Sequence, residues 1–427
     1  MQDPIIIIGA GAAGLMAARE LSAAGYPVIL LEGAERTGGR IHTITAPGFE
    51  QPIELGAEFV HGRLPISLAL LREAGLETEP VTGNMVRVNY GKWQQQEDFT
   101  IDWDLLMQKL HALKTDMTMA AFLQAHFPGD EYAALRNSVQ RFTEGFDVAD
   151  VNDVSALALR EEWSHEEHGQ YRVSGGYGPL VQFLAGQCRS RGVLIHTGCV
   201  VKKIDWQKGR VQVSCANGQH FTGHQLIITV PAAVLQAGAD QTAGMEWAPV
   251  PEAYRLAAQK TGYGSVTKLL LQFNTAFWNS YAKNPGFIIS EAPIGTWWTQ
   301  STPGAGLLTG WAGGPRAARL AALDEPALVQ EGLRSLAAVF NKTVEELQAL
   351  LVTARAVDWL KNPFSLGAYS YDTIHTAGAR RLLHTPIENT VFFAGEALYD
   401  GPSPGTVEAA LTSGRDTARM LMKEKEG

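Results

Sequence analysis

A chain of 427 residues, 45% hydrophobic and 19% charged, has the balance of a folded globular protein with room for two or three domains. That composition excludes a disordered or low-complexity chain, and no apolar run approaches the length of a membrane span. The formal net charge of −9 argues against nucleic acid as a partner and mildly for a cationic one.

No basic leader precedes the first strand, which predicts a cytoplasmic protein with no membrane association. Ile5–Ile8 is a continuous apolar run, as a strand buried on both faces of a parallel sheet requires. Gly9-Ala10-Gly11-Ala12-Ala13-Gly14 then predicts a tight turn into a helix ending near Gly25. Gly9 serves the turn, Gly11 lets backbone approach a pyrophosphate, and Gly14 lets the helix pack close to the strand. A second strand ends at Leu31, and Glu32 lies where a carboxylate accepts hydrogen bonds from ribose hydroxyls. Strand, glycine turn, helix, strand and acid in this order predict dinucleotide binding, with phosphates at the helix N-terminus. A second glycine turn follows, Gly38-Gly39-Arg40.

Extended chain over Ile41–Thr45 leads to Glu54-Leu55-Gly56-Ala57-Glu58-Phe59, with His61 just before Gly62, a stretch rich in small residues that suits close approach to a flat ligand. Pro65 opens a helix that stops at Gly75. Composition changes near Val81. A hairpin is predicted over Val86–Tyr90 and Lys92–Gln94 around Gly91, then helices over Trp103–Phe127 and Asp130–Phe146. Gly178 begins another helix, followed by strands over Val193–His196, Cys199–Trp206, Val211–Cys215 and Gln225–Val230. Cys188, Cys199 and Cys215 fit neither a zinc pattern nor a C-x-x-C pair, and read as small buried hydrophobes without chemistry; no metal site is expected.

Gly264–Phe273 predicts a strand with Lys268 in its middle, a lone cation that is costly to bury without a partner. Trp297-Trp298 and Leu307–Trp311 predict two more strands, and these tryptophans suggest an aromatic wall. Helices are predicted over Pro326–Phe340 and Val344–Leu351. The last segment carries Trp359, Gly367-Ala368-Tyr369, a strand entering Phe393-Ala394-Gly395-Glu396, and a Gly/Pro loop opening a helix near Thr406.

Together these residues resemble the flavin-containing amine oxidases, a family that includes monoamine oxidases, polyamine oxidases, L-amino acid oxidases and flavin histone demethylases. The resemblance covers nearly the whole chain and implies an α/β fold. A Rossmann-type, glutathione-reductase-like FAD-binding domain would comprise residues 1–80, 171–250 and 361–427. An inserted α+β substrate-binding domain would comprise 81–170 and 251–360. The implied cofactor is FAD, and its implied binding residues are Gly9, Gly11, Ala12, Ala13, Gly14, Glu32, Gly38, Gly39, Arg40, Leu55, Gly56, Ala57, Glu58, Val201, Val230, Trp359, Gly395, Glu396, Thr406 and Val407. Glu32 would hold the adenosine ribose, Val201 the adenine, Glu396 the phosphate–ribityl region, and Gly56 to Phe59 the isoalloxazine edge. The catalytic candidates are Lys268, Tyr369, Trp359 and His61. Lys268 matches a lysine that holds a water against flavin N5, and the cofactor is the expected partner of its buried charge. Relatives with covalent flavin have a cysteine where this chain has Ala368, so the FAD is expected to be non-covalent.

The implied reaction oxidises a small-molecule primary or secondary amine, polyamine or monoamine, to an imine or carbonyl, with O₂ reduced to H₂O₂. L-amino acid oxidases are the nearest alternative, but their substrate arginine is matched here by Phe59, which leaves Arg63 or Arg316 as substitutes. Glu58 and His61 resemble the polyamine oxidase pattern. A demethylase is disfavoured because no inserted coiled-coil tower is evident. A flavin desaturase or dehydrogenase, and a flavin-binding protein without turnover, are the remaining alternatives. Oligomeric state is not readable from the sequence.

Overall fold

The computed structural model describes residues 3–89, 91–95, 100–165, 169–300 and 304–423. Two sheets organise it. The first has five parallel strands in the order Leu194–His196, Val28–Leu31, Ile5–Ile8, Gln225–Ile228 and Val391–Phe393. All four residues of Ile5–Ile8 are buried, as expected for the central strand of a sheet covered on both faces. Helices Ala12–Ala23 and Gly178–Ser190 cover one face, and Val407–Lys423 lies across Ala12–Ala23.

The second sheet has seven strands in the order Leu351–Asp358, Val266–Phe273, Leu307–Gly313, Thr296–Thr299, Pro285–Ser290, Asn84–Asn89 and Lys92–Gln95. Its register places Lys268, Trp311, Thr296, Ile289 and Arg87 side by side in one row across five strands. Residues paired in a row share a face. Beside that row, Phe287 pairs with Trp298. The opposite face packs on helix Glu325–Phe340, and Trp297 points into this core at 0% exposure. Strand alternation therefore gives the aromatic wall Trp298 and Trp311 but removes Trp297 from it.

Several elements depart from expectation. The helix expected over Trp103–Phe127 is two helices, Trp103–His111 and Met119–His126. The break has a local cause. The Asp116 carboxylate accepts from Met117 N, Leu157 N and the Ser155 hydroxyl, and the Thr118 hydroxyl caps the second helix. The helix expected over Asp130–Phe146 opens as a 3₁₀ turn, Asp130–Tyr132, before Ala133–Gly145. In the hairpin around Gly91, Tyr90 lies outside the described residues, while Asn84–Asn89 pairs with Lys92–Gln95. Strands Gln170–Val173, Pro285–Ser290 and Leu351–Asp358 and helices Ala156–Ser164 and Gly314–Leu320 had no clear signal in the local pattern.

The cysteine reading needs correction. Cys199 and Cys215 are joined as a disulfide across the antiparallel pair Val201–Gln207 and Arg210–Cys215. The turn at Gly209 brings their Cα atoms to 5.8 Å, within disulfide reach. Cys188 is the buried hydrophobe expected; burial pushes its thiol up to about 11, and its Sγ donates to Leu15 O. Among the described residues no helix is long and apolar enough to cross a membrane, and no cluster of metal-ligating side chains occurs.

Candidate active site

A cavity of about 560 Å³ runs from the C-terminal ends of the parallel strands to the Lys268 row of the second sheet. At its first end Gly9, Gly11, Ala12 and Ala13 line the wall. Helix Ala12–Ala23 begins there with Gly11 as N-cap and no side-chain cap bond, so its first N–H groups and positive dipole end face the cavity. Gly14 lies one layer back. A Cβ there would come 1.8 Å from Gly9 O, so only glycine lets this helix pack so close to the turn. The Glu32 carboxylate accepts from Ala10 N at 2.7 Å and Ala34 N at 2.9 Å, and it also lines the cavity. Burial raises its pKa despite these donors. Val201, Val230, Gly38, Gly39 and Arg40 continue the wall.

Arg40 is clamped from the C-terminal segment, donating to Ala368 O at 2.8 Å and Glu396 Oε1 at 2.8 Å. Glu396 is buried and also accepts from the Ser370 hydroxyl. Gly395, Glu396, Thr406 and Val407 line the cavity where the Gly/Pro loop enters helix Val407–Lys423. Gly56 and Ala57 line it from the other side. Gly56 has no room for a side chain, since a Cβ would meet Arg40 O at 1.9 Å. Leu55 is off the wall, and its carbonyl accepts from Trp359 Nε1 at 2.9 Å, which fixes the Trp359 ring against Gly56.

A dinucleotide fits these residues. The cavity offers a buried carboxylate, an uncapped helix start, and a wall that includes Gly56, Ala57, Trp359 and Tyr369.

Lys268 closes the second end. It is 1% exposed and lines the cavity. Its buried charge has a partner within the chain, Glu58. Nζ donates to Glu58 Oε2 at 2.7 Å and to Gly56 O at 3.0 Å. The other Glu58 oxygen accepts from Arg172 Nε at 2.9 Å and Trp298 Nε1 at 2.9 Å. Burial alone would raise the Glu58 carboxyl, but Lys268 and Arg172 outweigh it and hold the pKa at about 2. Glu58 thus lines the cavity as an ionised partner of two cations. Behind it, burial pushes Glu54 up to about 7 against the Tyr177 N–H, the Lys268 charge and the Thr43 hydroxyl.

Around Lys268 the wall is aromatic. Phe59 meets Trp298 edge-on at 5.3 Å, and Trp298 lies 5.9 Å from Trp311. His61 stands edge-on to Phe146 at 5.9 Å, and burial lowers its pKa to about 4, so the ring is neutral near pH 7. Tyr369 donates its hydroxyl to Phe146 O and lays its ring beside Gly405. Lys268, Tyr369, Trp359 and His61 are therefore brought to one cavity. Thr229, Arg36, Phe364 and Arg172 were missed. Arg36 donates to Gly39 O at 2.7 Å and Ile41 O at 2.9 Å, bracing the second glycine turn. Its place four residues before Arg40 was the available signal.

A parallel sheet with a glycine turn on a dinucleotide-sized cavity, and a second sheet closing it with a buried lysine, define a two-sheet dinucleotide-binding protein. A family profile described as flavin containing amine oxidoreductase matches residues 12–422, and the chain belongs to that family, whose cofactor is FAD and whose substrates are amines. It is 27% identical to polyamine oxidase 2 of Arabidopsis thaliana over 99% of this chain and 89% of that protein. It is 26% identical to lysine-specific histone demethylase 1 homolog 3 of the same plant over 98% of this chain, but spans only 30% of that protein's length. Among solved structures, putrescine oxidase bound to putrescine superposes with a TM-score of 0.82 at 20% identity, covering 99% of each chain. Cyclohexylamine oxidase from Brevibacterium oxydans IH-35A gives 0.82 at 18% identity, covering all of each chain. At such identities the structural likeness speaks for the fold.

Proposed function

We propose that this chain oxidises a primary or secondary amine, monoamine or polyamine, to an imine that hydrolyses to a carbonyl, with O₂ reduced to H₂O₂. The observation that carries this reading is the Lys268 ammonium, buried on the cavity wall and held by Glu58 and Gly56. A lysine has three N–H donors, and these two bonds leave the third for a water or reacting group in the cavity. Bound FAD would supply the two-electron acceptor for the amine's α-carbon hydrogen and return those electrons to O₂. The chain's own part is to position and to exclude water. Phe59, Trp298, Trp311 and Tyr369 present aromatic surface that attracts an amine in its cationic form. Neutral His61 offers a ring nitrogen in place of a second positive charge.

In this reading residues 1–80, 171–250 and 361–427 carry FAD, without a covalent bond because Ala368 has no nucleophile, and residues 81–170 and 251–360 carry the substrate. The test is anaerobic mixing of the yellow holoenzyme with an amine panel, followed by air and peroxide detection. Bleaching of the flavin band and stoichiometric H₂O₂ are expected. No bleaching by any amine would end the reading, and sluggish air reoxidation of dithionite-reduced protein would make it a dehydrogenase.

A further inference from the structure

We propose that Glu408 is a positioning residue for the cofactor: it caps one helix from the first turn of another and so fixes the spacing of two walls of the cavity. The inference rests on FAD as the cofactor and not on which amine is oxidised.

The two walls come from distant parts of the chain. Phe59 and His61 line the cavity from strand Phe59–His61, and helix Pro65–Glu73 follows after the turn at Gly62. Thr406, Val407 and Ala410 line it from the start of helix Val407–Lys423. Glu408 stands among these in sequence, but it is buried at 2% exposure and its carboxylate reaches the other helix. Oε1 accepts from Ile66 N at 2.9 Å. Oε2 accepts from Ser67 N at 2.7 Å and from the buried Ser67 hydroxyl at 2.6 Å.

The first turn of any helix leaves backbone N–H groups without intrahelical partners. A serine, threonine, aspartate or asparagine at the N-cap is the common local remedy. Here the N-cap is Leu64, which makes no side-chain bond, and the acceptor lies 342 positions along the chain. Helix Pro65–Glu73 therefore keeps its cap only while the start of helix Val407–Lys423 stays in place. In so buried a place each unmade bond carries the full desolvation cost of its donor.

Both sides of this tie are fastened to the cavity wall. The Tyr177 hydroxyl donates to Phe59 O at 3.2 Å, holding the strand. The Thr406 hydroxyl accepts from Ala409 N at 3.1 Å and donates to Ser403 O at 2.7 Å, so the loop moves with the helix start. Gly405 in that loop lies beside the Tyr369 ring. A cofactor that fills the cavity then meets a gap set in advance. With the tie broken, part of its binding energy goes into restoring the gap.

The test compares the wild type, Glu408→Gln, Ser67→Ala and the double variant as holoenzymes, each shown folded by circular dichroism. Serial dilution, read by the fluorescence of released flavin, gives the dissociation constant for FAD. Gln keeps the size of the side chain but turns an NH₂ toward a donor. Glu408→Gln should weaken FAD binding about tenfold or more, the worth of one charge-assisted hydrogen bond. Ser67→Ala removes the hydroxyl alone and should weaken binding less. In the Glu408→Gln background it should add little, because its partner is already lost. A folded Glu408→Gln that holds FAD within about twofold of the wild type overturns the proposal. It does so even where its urea midpoint falls, since that pattern marks a tie between helices and nothing more. Additive effects of the two substitutions overturn it as well. If Glu408→Gln does not fold, Ser67→Ala decides: unchanged FAD affinity overturns the proposal, and weaker binding by the folded variant supports it. A wild-type protein that takes up no FAD refutes the cofactor reading, and this proposal with it.

Discussion

Replacing Glu58 by Gln tests the buried cluster most directly. The side chain keeps its shape, but Lys268 and Arg172 lose the anion between them. The magnitude follows from linkage. The carboxyl is held at about 2 against an ordinary 4.5, a difference of about 2.5 units worth about 3 kcal/mol. Breaking a buried pair by removing one partner typically costs about 3–5 kcal/mol, which agrees. The sign is fixed by the depressed native pKa. Stability from ionised Glu58 is fully present above about pH 4.5 and is lost as pH falls toward 2. Glu58→Gln should therefore be destabilised by about 3 kcal/mol at pH 7, and the gap should shrink to roughly half of that near pH 3. Urea unfolding of both holoenzymes at several pH values, followed by tryptophan fluorescence, measures the gap. A difference below about 0.5 kcal/mol at pH 7, within the range of an ordinary surface substitution, or one that stays constant with pH, would refute the assignment of Glu58 as the ionised partner.

Lys268→Met should slow flavin reduction or reoxidation by at least about a hundredfold, the lower range for a positioned proton-transfer group, while FAD stays bound. Near wild-type stopped-flow rates would remove Lys268 from the reaction. Gly14→Ala places a methyl 1.8 Å from Gly9 O, so the variant should purify with little or no yellow flavin; a full complement would show that the helix can shift without cost. Acid precipitation of the native holoenzyme should leave the flavin in the supernatant, and colour kept in the pellet would contradict non-covalent binding.

Local chemistry was the legible part. The glycine turn, Glu32 and the Gly38-Gly39-Arg40 turn lie within forty residues, and Glu32 takes its hydrogen bonds from backbone of that same segment. Lys268 was visible because a single cation in an apolar strand is anomalous by itself. Its partner was not, because the cluster joins residues 58, 172, 268 and 298, which only the tertiary fold brings together. The same holds for the far end of the cavity. Arg87, Arg141 and Arg316 line the cavity from a strand and two helices, and of the three only Arg316 stood out in the sequence, as a substitute for a substrate-carboxylate arginine. The cysteine pair failed for a smaller reason. Its separation of 16 residues follows a hairpin whose register no spacing rule encodes. Trp297 and Trp298 show the limit of composition, since adjacent residues on one strand face a core and a cavity.

Glu54 and Glu58 show how four residues of separation give two carboxylates opposite behaviour. Both are buried, and burial raises each. Glu58 touches two cations directly, and their attraction reverses the effect. Glu54 receives the Thr43 hydroxyl and the Tyr177 N–H and feels Lys268 at longer range, so burial prevails and its pKa rises to about 7. An acid whose native pKa is raised binds its proton more tightly when folded, so Glu54 costs stability as pH rises from about 4.5 to 7. Glu58 costs stability in the adjoining window below 4.5. Neighbouring acids pushed apart in this way leave one fixed anion beside Lys268 at neutral pH, with Glu54 near its own midpoint.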